Sequence, residues 1–137
     1  MHNFLSFPWV SGWADFASLI LRVATGAIFM MHGWSKFQGG TEGVAGMLGG
    51  LGFPMPEVFA VILIAVELLG GILLILGALT RWAAFLAGIV ALVAYLMVHM
   101  SQGWSDSEFV ILLFAACVAL LALGGGRYSL DRAWFRI

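Results

Sequence analysis

The chain has 137 residues, of which 63% are hydrophobic and only 9% charged, with a formal net charge of -1. A soluble domain carries roughly 25% charged residues, so a water-soluble fold is excluded and lipid must be the solvent for most of the surface. The balanced charge leaves no basic footprint for nucleic acid. The single cysteine, Cys117 within an apolar run, excludes an internal disulfide, a CxxC redox pair and a zinc–thiolate site.

In chain order, Met1 to Asp15 contains neither Lys nor Arg. It lacks the positive start of a signal peptide and is expected to be retained. Phe4, Phe7, Trp9 and Trp13 predict a segment lying in the membrane interface.

Four apolar stretches follow, at Phe16–Lys36, Glu57–Leu79, Arg81–Met100 and Glu108–Gly124. About 20 helical residues cross the hydrocarbon core. The expected fold is an all-α membrane protein, a single domain built as an antiparallel bundle of four transmembrane helices. An N-terminal interfacial aromatic segment and a glycine-rich outer loop complete it. That loop runs from Gly39 to Gly52, with Thr41 to Leu48 able to form a short amphipathic helix, and ends in Phe53-Pro54-Met55-Pro56. Pro56 suits the first turn of the second helix, a turn at Thr80-Arg81 joins the second and third, and Ser105 to Glu108 fits a capping box opening the fourth.

Lys and Arg set the orientation. With both termini in the cytoplasm, Arg81, Arg127, Arg132 and Arg136 lie inside and Lys36 alone lies outside.

Two charges fall within the spans, Arg22 and Glu67. Charges at membrane depth mark functional sites by default and need partners. Counting ten residues back from His32 and ten on from Glu57 puts both roughly 15 Å below the outer face, so an Arg22–Glu67 pair is expected. Arg22, Gly26, Phe29, Gly33 and Lys36 share one helix face; Ala60, Leu63, Glu67, Gly70, Gly71 and Leu74 share another. The remaining ionisable groups, His32, Lys36, Glu57, His99, Asp106 and Glu108, gather at the outer end, with Tyr95 one turn below His99. Such asymmetry suits a pocket opening outward. The plainer alternatives are a structural Arg22–Glu67 clip, solvated helix ends at Lys36, Glu57, Asp106 and Glu108, and an interfacial His99. Met30, Met31, Met97 and Met100 read as packing.

Leu21-Arg22-Val23-Ala24-Thr25-Gly26 with His32-Gly33-Trp34-Ser35-Lys36 resembles the opening of the DoxX family. Glu67-Leu68-Leu69-Gly70-Gly71, Leu76 to Arg81, His99, Glu108 and the closing Gly124 to Asp131 fit the same family, with Gly-Gly-Gly where Gly-Pro-Gly is usual. The resemblance spans Phe16 to Arg132. It implies a four-helix protein of a bacterial or archaeal cytoplasmic membrane. Family members include a subunit of an archaeal thiosulfate:quinone oxidoreductase, and others are linked to detoxification or redox stress.

Two functions compete. The first is a quinone-associated oxidoreductase subunit with Arg22, Glu67 and His99 as the catalytic candidates and Tyr95, His32, Lys36 and Glu108 as ligand-binding candidates. No metal site and no intrinsic cofactor are expected. Without a flavin or iron–sulfur motif, electrons to a bound quinone would come from a redox partner, so the chain is not expected to be an enzyme alone. The second is a non-catalytic accessory subunit of a larger membrane complex. A haem between His32 and His99, or a transport role, is the lesser alternative.

Overall fold

A computed structural model describes residues 12–136. Its helices are α1 (Ala14–Gly39), α2 (Thr41–Gly50), α3 (Pro56–Leu76), α4 (Thr80–Ala94) and α5 (Trp104–Leu123). A π-helical turn, Tyr95–His99, prolongs α4, and a second, Asp131–Phe135, follows the closing glycines. No strand occurs among the described residues. Four segments are long and apolar enough to cross a membrane: α1, α3, α4 with its π turn, and α5. Phe4, Phe7 and Trp9 of the expected interfacial segment lie outside the described residues; Trp13 is exposed.

The four spans pack as α1 on α3 and α4 on α5, with α3 and α4 joining the pairs. In lipid, helices associate through close packing and polar bonds rather than hydrophobic burial. The α1–α3 seam shows why glycines stand on it. A Cβ added at Gly26 would lie 2.6 Å from the Gly71 carbonyl oxygen, one at Gly71 would enter the backbone of Met30, and one at Gly33 that of Leu68. Backbone touches backbone along this seam.

These contacts set the register. Gly33 lies beside Glu67–Leu68, and Gly26 beside Gly71 and Ile75. Arg22 is therefore level with Gly77, not with Glu67. The expected Arg22–Glu67 pair does not form. The depth count failed because α1 continues beyond Lys36 to Gly39, so its C-terminal end lies seven residues past His32.

The glycine-rich segment is helical over most of its length. In α2, Val44, Ala45 and Leu48 bury against Ala60 and Ile64 of α3. Pro56 occupies the first turn of α3, as its fixed φ favours. The α3–α4 turn sits earlier than Thr80-Arg81. Ala78 N–H donates to Leu73 O at 3.0 Å and Gly77 N–H to Leu74 O at 3.2 Å, with Gly77 at φ 68°, a Schellman stop. Thr80 already belongs to α4. At α5 the capping box is absent. The helix begins at Trp104, and the Ser107 hydroxyl bonds to the carbonyls of Gly103 (2.7 Å) and His99 (2.8 Å).

Candidate ligand cavity and the arginine clip

Glu67 projects from mid-α3 and is 6% exposed. Its partner is Lys36, whose Nζ lies 2.6 Å from Oε2. Lys36 is one turn before the end of α1, and its long stem carries the ammonium toward Glu67. The pair borders a cavity of about 400 Å³ enclosed by α2, α3 and α4 with its π turn. The walls are almost wholly apolar, from residues such as Leu48, Phe59, Val66 and Val90; the polar exceptions are Lys36, Glu67 and His99. Ile62, Leu86, Ile89, Val93 and Met97 line it yet remain exposed on the bundle surface, so it opens sideways between α3 and α4.

The π turn positions His99. A π turn bonds its carbonyls to N–H groups five residues on, and the His99 Nδ1 sits 3.0 Å from Ala94 O. A carbonyl only accepts, so Nδ1 carries the hydrogen and Nε2 is left for a ligand, water or proton. By helical rise of about 1.5 Å per residue, Glu67 stands roughly 15 Å and His99 roughly 28 Å from the α3–α4 turn. The cavity thus has one polar feature near its middle and another near the end away from the α3–α4 turn. One small ring cannot touch both at once.

The other candidates lie elsewhere. His32 is exposed, edge-on to Phe109 with ring centroids 6.3 Å apart. Glu57, Asp106 and Glu108 are exposed helix-start residues. Tyr95 packs against the cluster of Phe29, Ala91 and Val110 rather than lining the cavity.

Arg22 is at the opposite end of the bundle and only 1% exposed. Its Nε donates to Gly125 O at 3.2 Å, Nη1 to Leu74 O at 3.3 Å and to Ile75 O, and Nη2 to Tyr128 O. Leu74 and Ile75 are in the last turn of α3, where carbonyls lack intrahelical partners and the helix dipole is negative. A guanidinium can serve such divergent acceptors because its donors form a rigid fork. Asp131 completes the arrangement on α4, accepting from Leu79 N–H at 2.6 Å and Thr80 N–H at 2.9 Å. Leu79 has φ 49°, a left-handed conformation unfavourable to leucine, and this bond helps hold it there. Arg22 and Asp131 thus clip the α3–α4 turn to the closing loop. The sequence reading placed Asp131 in the closing glycine-rich motif without a role; its position at the end of that motif was the available signal.

A cavity with a half-buried Lys–Glu pair, a π-positioned histidine and a glycine-packed α1–α3 seam is carried on residues 17–100, and the DoxX family model matches those same residues. The chain belongs to the DoxX family. The chain is 34% identical to a Bacillus subtilis protein named "Putative oxidoreductase CatD", over 89% of this chain and 90% of that one. It is also 32% identical to the Escherichia coli inner membrane protein YqjF, over 86% of this chain and 92% of that one. A third relative, the Escherichia coli inner membrane protein YphA, is 30% identical over 83% and 87% respectively. No solved structure matches. Like other DoxX proteins, the chain is a multi-pass membrane protein. The family model ends before α5, so the closing loop and Asp131 lie outside its matched residues.

Proposed function

We propose that this DoxX protein is a quinone-binding subunit of a membrane redox system. The observation that carries this reading is the apolar cavity, open sideways between two spans, with the Lys36–Glu67 pair on its wall. Its size falls within the range of small-molecule sites, which are mostly apolar with a few placed polar groups. A quinone partitions into lipid and can enter laterally past Ile62, Leu86 and Val93. One carbonyl oxygen then accepts a hydrogen bond from the Lys36 ammonium. Reduction to quinol takes two electrons, supplied by a redox partner, and two protons. Glu67 is placed to pass protons at depth, and His99 Nε2 to exchange them with water nearer the surface. A relative bearing an oxidoreductase name supports the same direction.

The arginine excess at the Arg22 end favours that end, with both termini, in the cytoplasm. The cavity then occupies the outer half of a bacterial or archaeal cytoplasmic membrane.

The test is titration of the purified full chain with a short-chain quinone, followed by tryptophan fluorescence. Saturable binding, weakened in Lys36→Ala, supports the reading. Absence of saturable binding overturns it and leaves the protein as a non-catalytic accessory subunit.

A further inference from the structure

We infer that the Arg22 end of the bundle carries a second site, which binds the phosphodiester headgroup of an anionic phospholipid. A cavity of about 760 Å³ lies there, bounded by the starts of α1 and α4, the end of α5 and the closing loop. Three guanidinium groups line it, those of Arg81, Arg127 and Arg132, against two carboxylates, Asp15 and Asp131.

The carboxylates do not neutralise it. Both oxygens of Asp131 are engaged by the N–H groups of Leu79 and Thr80. Asp15 meets Arg127 at 3.2 Å, with both side chains more than half exposed, so that pair is weak and open to exchange. Arg81 spends one donor on Ala122 O at 3.3 Å and lies across Gly124, leaving its other N–H groups for an acceptor. Arg132 has no side-chain hydrogen bond or ion pair among the described residues. Thr80 adds a buried hydroxyl that finds no partner among them. Arginine forks and a hydroxyl donor together match the oxygens of a phosphate.

The rim selects a lipid over free phosphate. Leu79, Trp82 and Leu123 border the cavity and are 50%, 67% and 53% exposed. They stand where the apolar spans α4 and α5 meet this end, the level at which tryptophans mark the headgroup region. Acyl chains would follow the exposed surface of α4, over Trp82 and Phe85. A net-positive pocket prefers a headgroup without its own cation, as basic pockets between transmembrane helices do.

The experiment reconstitutes the full chain in vesicles of equal phosphatidylglycerol and phosphatidylcholine, extracts it in mild detergent and quantifies retained lipid by mass spectrometry. Phosphatidylglycerol should be enriched over phosphatidylcholine. Arg132→Gln should lower that enrichment by about fivefold, and Arg81→Gln similarly, with helical circular dichroism retained. If Arg81→Gln fails to fold, the exposed Arg132→Gln decides alone. Equal retention of both lipids, or enrichment that survives Arg132→Gln, overturns the proposal. Displacement by millimolar inorganic phosphate also overturns it, by assigning the site to free anions.

Discussion

Lys36 Nζ lies 2.6 Å from Glu67 Oε2, with the carboxylate side chain 8% and the ammonium side chain 29% exposed. Removing one member of such a pair strands a buried charge. Lys36→Gln is expected to destabilise the protein by about 3 kcal/mol, near the low end for buried pairs because Lys36 keeps some contact with water. The double variant Lys36→Gln with Glu67→Gln should cost less than the sum of the single changes, because neither charge is then left alone. Thermal unfolding in one fixed detergent measures all four proteins. Strict additivity would show that the two groups do not interact.

Arg22 makes a contrasting prediction. Its donors all go to backbone carbonyls of the α3 end and the closing loop, and it does not line the proposed quinone cavity. Arg22→Gln should lower stability by about 3 kcal/mol, since hydrogen bonds to a charged group contribute roughly 1.5–3 kcal/mol each and some are retained. Proteolysis should then begin in the segment from Gly124 onward. Quinone affinity measured below the unfolding transition should be unchanged. A selective loss of quinone binding with intact stability would return Arg22 to the ligand site.

The difference between these two residues marks what the sequence made legible. Apolar runs of spanning length located all four crossings, and Pro56 located the start of α3. The shared faces of α1 and α3 were visible too, because Arg22, Gly26, Phe29 and Gly33 recur at helical spacing and are all buried. The vertical register between those faces was not visible. It depends on where α1 ends, and the Phe37 to Gly39 turn is helical despite its glycine. It depends as well on which glycines nest, a three-dimensional property. Thus Lys36, read as a ligand-binding candidate, is the partner of Glu67, and Arg22 is a cap. The π turn at Tyr95–His99 was not visible either, because its residues continue the apolar run of α4 without a break.

The seam itself can be tested by comparing neighbouring glycines. Gly71→Ala would drive a methyl group into the Met30 backbone, whereas a Cβ at Gly70 meets nothing within 4 Å. Overpacking costs about 1–3 kcal/mol, so Gly71→Ala should be destabilising by that amount. Gly70→Ala should be neutral or slightly stabilising, because alanine is favoured over glycine within a helix by about 1 kcal/mol. Unfolding temperatures of the two variants check this directly. Equal effects would mean that α1 and α3 are held apart more than the backbone contacts indicate.

Filling the cavity separates its role as a container from the chemistry of its polar groups. Val93 lines the opening between α3 and α4 and is 36% exposed, so a larger side chain there can lean into the cavity without entering the buried α4–α5 interface. Val93→Trp should preserve helicity and unfolding temperature while weakening short-chain quinone binding by about tenfold, a loss of roughly 1.4 kcal/mol. The Lys36–Glu67 pair remains intact in this variant, so any loss reports on space rather than charge. Binding as tight as in the unsubstituted protein would place the quinone outside the α3–α4 opening, even if the Lys36 variants impair it.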